Sequence, residues 1–129
     1  PIGGCGFWSL IASIRKRPGE GKNAVAALLS VAEVKHVIVT DDDINIHDPD
    51  DLDWAIAFRV QADRDAIIFE GARAKHIDPS VMSWTVGKGG LPTTAKLGID
   101  ATIPEGVPPI LYRRIKNYGR DKFKLEDFE

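Results

Sequence analysis

The amino-acid sequence predicts a layered α/β fold, a βαβαβ unit with a mostly parallel or mixed sheet, followed by a long loop and a carboxy-terminal tail. Three observations carry this expectation. Short β-branched runs recur along the chain, segments of helical spacing lie between them, and clusters of glycine, proline and aspartate mark the joints. The 129 residues are 43% hydrophobic and 28% charged, an ordinary globular composition at a length able to bury roughly two-thirds of the surface that the unfolded chain exposes. The expected organisation is one α/β domain over residues 1–129, with about 103–129 as a tail suited to assembly.

The elements follow in order. "FWSLIASI", Phe7 to Ile14, reads as a strand, and Lys22 to Ala32 has helical spacing through Val25, Leu28 and Leu29. "HVIVT", His36 to Thr40, is a short β-branched strand that completes one βαβ unit. The next helix opens at "DPDD": Asp48 suits the N-cap, Pro49 the first helical position, and Asp50 and Asp51 the positive end of the helix dipole. Leu52, Ala55, Ile56 and Arg59 then share a face. "DAIIFE", Asp65 to Glu70, is a third strand, and Lys96 to Thr102 a further short strand or extended segment. "GKGGLP", Gly87 to Pro92, is the expected mobile loop, and Pro108 to Tyr118 is expected to turn once or twice as helix before a charged tail. Mostly parallel strands joined by right-handed crossovers are the expected arrangement.

Charge and composition exclude several classes. A net charge of −2 gives no general attraction for nucleic acid, although Arg15, Lys16 and Arg17 form a local cationic cluster suited to a small anion. No apolar run approaches the ~20 residues that span a bilayer. Cys5 is the single cysteine, so a disulfide framework is excluded, and a reducing, cytoplasmic location is expected. The opening residues do not read as a secretory or transit segment, and a chain that starts with proline is expected to be processed, truncated or cut from something longer.

Seven aspartates crowd residues 41–53. Capping and the helix dipole explain Asp48, Asp50, Asp51 and Asp53, whereas Asp41 to Asp43 stand at the carboxyl end of a strand. A calcium loop does not fit, because Ile46 replaces the required glycine and Leu52 the bidentate glutamate. "GEGKN" is not a nucleotide phosphate loop, since Lys16 replaces its first glycine and Asn23 its Ser or Thr. "GGCGFW" lacks a preceding strand and dinucleotide spacing. His36 and His47 read as structural or surface residues, and Cys5 as buried filler.

Ligands of open α/β sheets settle at the carboxyl ends of strands. The segments expected there are Arg15 to Arg17, Asp41 to Asn45, and "GARAKHID", Gly71 to Asp78, which holds His76 beside Arg73 and Lys75. In "KRPGEGKN" a cation just past a strand is placed for a phosphate, to which the next helix could add N–H groups.

"SIRKRPGEGKNAV", "VKHVIVTDDDINIHDPDDLDWAIAFRVQADRDAIIF" and "AKLGIDAT", in this order, resemble the carboxy-terminal domain of the UbiD-family decarboxylases, which use prenylated flavin mononucleotide (prenylated FMN). The resemblance covers nearly all of Phe7 to Thr102. It implies a carboxy-lyase acting on an aromatic or α,β-unsaturated carboxylic acid, with the modified flavin as electron sink. The family's catalytic arginine and glutamates, and its ligands for a divalent metal such as Mn or Mg, belong to an amino-terminal half, so the resemblance assigns no catalytic or metal residue to this chain. It implies that Lys16 contacts the flavin phosphate and that Lys75, His76 and Ile77 line the substrate end of the pocket. It also implies a catalytic half or larger subunit as partner, within a homo- or hetero-oligomer. Two other readings remain: a non-catalytic binding or assembly module of the same fold, and a tautomerase-like enzyme using Pro1 as base, which the flexible glycines after Pro1 disfavour.

Overall fold

Three β-branched stretches pair side by side as the parallel part of a sheet. The computed structural model describes residues 8–75, 77–81 and 92–114, in which β1 is Ser9–Ile14, β2 His36–Asp41, β3 Ala66–Arg73 and β4 Thr93–Ala101. The helices are α1, Glu20–Leu29, α2, Pro49–Arg59, and the single turn α3, Ala62–Asp65, and a 3-10 turn covers Pro109–Tyr112. Strand order is β1-β2-β4-β3, with β1, β2 and β4 parallel and β3 antiparallel to β4. The expected α/β sheet is therefore mixed, with β4, the last strand among the described residues, inserted between β2 and β3.

The helix α1 packs directly on that central strand. Val25 and Leu29 join Val34, Val37 and Val39 in the buried core, with Leu10, Ala12, Ile14 and Ile67 against them. Gly98 makes this approach possible, because a Cβ there would lie 2.2 Å from a Val25 methyl and 2.9 Å from Leu29. Lys96, also buried, donates from Nζ to the carbonyls of Leu29 (2.9 Å) and Val31 (2.6 Å). A cation on the last carbonyls complements the negative helix end, and α1 stops at Leu29, short of the expected Ala32.

The strand β3 runs antiparallel, as the expected mostly parallel or mixed sheet allows, and α2 supplies the reason. The chain leaves β2 through the Asp42–Asp48 loop and enters α2 at Asp48, whose carboxylate accepts from the Asp50 amide at 3.0 Å, with Pro49 in the first turn. At the other end of α2, Arg59 is held by Asp41 and Asp43. The helix thus ends beside the strand end from which the chain departed, and β3 enters at that same end, Ala66 opposite Ile99 and Arg73 opposite Thr93. The described residues of "GARAKHID", 71–75 and 77–78, consequently lie at the amino end of the parallel strands, not at the carboxyl end expected for them. The β3 register shifts between Phe69 and Ala72, where Gly71 adopts φ 65°.

At that amino end, Lys35 donates from Nζ to Asp78 at 3.0 Å and also to Ser80, while the Asp78 carboxylate accepts from the Ser80 amide at 2.9 Å and its hydroxyl at 2.7 Å. Burial alone would raise the Asp78 carboxyl pKa; the Ser80 and Lys35 donors outweigh it and hold the group below its ordinary value. Of the expected loop "GKGGLP", only Pro92 falls within the described residues. The expected helix over Pro108 to Tyr118 is a single 3-10 turn as far as Arg114. No helix among the described residues is long and apolar enough to cross a membrane.

Three outcomes are expected. Gly98→Ala should cost about 1–3 kcal/mol, the usual penalty of overpacking, read as a lower denaturant midpoint at constant m-value; an unchanged midpoint would contradict the close approach of α1. Asp48→Ala should cost about 1 kcal/mol through loss of the N-cap, and retention of wild-type stability would remove the capping account. A carboxyl held below its unfolded pKa stabilises the fold above the ordinary value of about 3.9, and that contribution disappears as pH falls through the folded value. Asp78→Asn should therefore flatten the loss of stability between about pH 5 and pH 2; parallel acid limbs for wild type and variant would refute this.

Candidate functional site

The parallel strands deliver Ile14, Asp41 and Ala101 to one end of the sheet, and the residues just past them form the candidate site. Beyond β1 the chain turns through Arg15, Lys16, Arg17, Pro18 and Gly19 into α1. Gly19 adopts φ 77°, a conformation that favours glycine. Beyond β4, Thr102 and Ile103 fold over the same place. Lys16 Nζ donates to Thr102 Oγ1 at 2.8 Å and to the Ile103 carbonyl. An ammonium has three N–H donors, so one stays without a partner among the described residues.

Lys16 stands between two adjoining cavities. One, of about 430 Å³, is bordered by Lys16, Lys22, Arg64, Asp100, Thr102 and Glu105 among others, and the second, of about 310 Å³, by Lys16, Arg17, Asp41, Ile103 and Pro104 among others. Cations and carboxylates alternate around both. At the N-terminus of α1 two amides that precede the helix already have acceptors. The Gly19 amide donates to Glu105, the Arg17 amide to Glu20 at 2.7 Å, and a Cβ on Gly21 would lie 2.5 Å from the Asp100 carboxylate. The chain thus supplies its own anions there.

The three aspartates at the end of β2, Asp41 to Asp43, are a strand-to-helix joint, as expected, and each has an arginine partner. Arg59, with a solvent-inaccessible side chain, donates to Asp43 at 3.0 and 2.6 Å and to Asp41 at 3.4 Å. Its guanidinium lies 5.3 Å from the Trp54 ring, and Arg114 lies 5.1 Å from the same ring while pairing with Asp51. Arg15 reaches Asp42 at 3.0 Å, but with its side chain 89% exposed the pair adds little. Asp41 Oδ2 also accepts from the Ile103 amide at 2.6 Å. Burial raises the Asp41 carboxyl above its ordinary value, with Asp43 adding to the rise and the Ile103 amide, Lys16 and Arg59 opposing it. Groups of three or more metal-ligating side chains do not occur among the described residues.

The other candidate residues lie elsewhere. Lys75 and Ile77 occupy the opposite end of the sheet, and nine residues of β4 extend roughly 30 Å at ~3.3 Å per residue. Lys75 faces Glu33 at 3.9 Å, and Ile77 is 63% exposed. His76, Cys5 and Pro1 lie outside the described residues. His36 and His47 are exposed. The structure therefore does not bring Lys16 together with Lys75 or Ile77 in one cavity. Thr102, Asp100 and Arg59 were missed by sequence reasoning; the only local signal for them was a polar residue at each end of an otherwise apolar element.

This end of the sheet can hold and orient an anion. Its cation is Lys16, held between Thr102 and Ile103.

Comparison with known proteins gives the affiliation. A family model described as the 3-octaprenyl-4-hydroxybenzoate carboxy-lyase C-terminal domain matches residues 1–101. Anhydromevalonate phosphate decarboxylase of Methanocaldococcus jannaschii is 48% identical over 103 residues, covering 78% of this chain and 23% of that protein. The chain thus spans about a quarter of the length of the relatives it matches. The UbiD-class enzyme HmfF from Pelotomaculum thermopropionicum, solved with FMN, superposes with a TM-score of 0.71 at 43% identity, covering 95% of this chain and 26% of that one. The 3,4-dihydroxybenzoic acid decarboxylase from Enterobacter cloacae, solved in the apo state, gives 0.69 at 28% identity, covering 88% and 24%. By sequence and by structural superposition, this chain belongs to the UbiD family, as its carboxy-terminal domain.

Proposed function

We propose that this chain is the flavin-facing and assembly domain of a prenylated-FMN-dependent carboxy-lyase acting on an aromatic or α,β-unsaturated carboxylic acid. The observation that carries the proposal is Lys16, an ammonium anchored by two acceptors with one donor to spare, in a chain of UbiD membership. A phosphate monoester fits that donor. Ahead of α1, Glu105 already takes the Gly19 amide, and the contact proposed from this side is the point charge of Lys16. When bound, the modified flavin supplies the electron sink for loss of carbon dioxide. The residues of this chain hold a charge, exclude water and close one side of the site.

In this proposal the catalytic acid, base and arginine, and any divalent metal such as Mn or Mg, come from an amino-terminal half. Lys75, His76 and Ile77 serve as a wall of the substrate pocket, and residues 103–129 as the assembly segment of a cytoplasmic homo- or hetero-oligomer. A second reading is a binding and assembly module of the same fold without chemistry of its own.

The test combines the chain with its catalytic half. Carbon dioxide release from a panel of aromatic and unsaturated acids is expected only from the combination, and turnover by the isolated 129 residues would defeat the proposal. Lys16→Ala should weaken flavin retention by about 1.5–3 kcal/mol, the range for hydrogen bonds to charged groups, with partial recovery in Lys16→Arg. Arg15→Ala, changing an exposed side chain, should change little. A Lys16→Ala assembly that retains the flavin as wild type does would remove the phosphate contact.

A further inference from the structure

We infer that Thr102 is a positioning residue for Lys16, aiming the ammonium at the flavin phosphate through a relay that begins at the buried carboxylate of Asp100; this rests on the reading of Lys16 given above. A threonine hydroxyl has one proton to give and lone pairs to receive. In Thr102 the proton is committed, since Oγ1 lies 2.6 Å from Asp100 Oδ1. The Thr102 amide donates to the same oxygen at 3.1 Å, which fixes the backbone as well as the side chain. The lone pairs are thereby turned toward Lys16, whose Nζ stands 2.8 Å away.

Each link depends on the one before it. Thr102 is 4% exposed and Asp100 9%, so neither is a surface residue that water could replace. The Asp100 carboxylate has room only because residue 21 is glycine, where a Cβ would come within 2.5 and 2.6 Å of its two oxygens. Gly21 gives the carboxylate its place, Asp100 orients the hydroxyl, and the hydroxyl orients the ammonium. With the Ile103 carbonyl as second acceptor, Lys16 loses the rotational freedom of a surface lysine before any ligand arrives, and preorganisation of this kind lowers the cost of binding. A role limited to closing the end of β4 would need the bonds from Thr102 to Asp100 and no contact with Lys16.

The experiment is a double-mutant cycle in the assembly with the catalytic half, read as the dissociation constant for FMN, with denaturation midpoints recorded for every variant. Thr102→Val keeps the shape and removes the hydroxyl; Thr102→Ser keeps the hydroxyl. Loss of one positioning hydrogen bond corresponds to about three- to tenfold weaker FMN binding for Thr102→Val, with Thr102→Ser within about twofold of wild type. In a Lys16→Ala background, Thr102→Val should change binding by less than about twofold, because the group it positions is gone. Equal losses in both backgrounds would assign Thr102 a purely structural role and overturn the inference. So would wild-type binding by Thr102→Val where Lys16→Ala binds poorly, and that result leaves the Lys16 contact standing. Wild-type binding by Lys16→Ala overturns the phosphate contact itself and this inference with it. Should Thr102→Val fail to fold, Thr102→Ala and Thr102→Ser decide the same question, since weak binding by the folded alanine variant with recovery by serine supports the relay and equal binding by both overturns it.

Discussion

A guanidinium cut off from water is costly to bury unless carboxylates pair with it, and Arg59 finds them in Asp41 and Asp43. Much of the site depends on that constraint. It draws the end of α2 back to the end of β2, so the following strand enters the sheet reversed. It also gathers at one place the carboxylate that receives the Ile103 amide, and through Ile103 the carbonyl that holds Lys16. Trp54 lies against the guanidinium on one side and against Arg114 on the other, covering the buried charge with a ring whose face attracts cations.

The local chemistry of the chain was legible and its long-range pairing was not. The cap at Asp48, the proline that follows it and the β2 strand stand as read, because each depends on neighbours a few residues away. The direction of β3 was unreadable, since "AIIFEGAR" has the same pattern whichever way it runs, and its direction is set by an ion pair between Arg59 and residues 16 and 18 positions earlier. That reversal also carried Lys75 and Ile77 away from Lys16. The central place of β4 was hidden by Lys96 and Asp100, which look like surface positions and are buried against partners from α1 and from Thr102. Lys16 could be singled out as a cation past a strand; the residues that hold it come from the far end of the sequence.

The electrostatics of the site are close to balanced. Lys16, Lys22 and Arg64 border the larger cavity together with Asp65, Asp100 and Glu105, and Arg64 is already engaged with Asp65 at 2.6 Å. A surface of this kind discriminates by geometry, because the net field around it is weak. A dianion gains there only where a donor already points at it, and other anions gain little. Selectivity of this sort is compatible with the small net charge of the chain.

The central strand is also the last strand among the described residues. Since β4 lies between β2 and β3, a nascent chain that has not reached Ala101 can pair β1 with β2 and has nothing to join them to β3. Closure of the sheet therefore waits for contacts of long sequence separation, a topology that slows folding and leaves strand edges exposed meanwhile. The residues that grip Lys16 follow β4 immediately. The lysine thus becomes fixed in the same step that completes the sheet, and a partly folded domain carries a mobile cation in place of an aimed one.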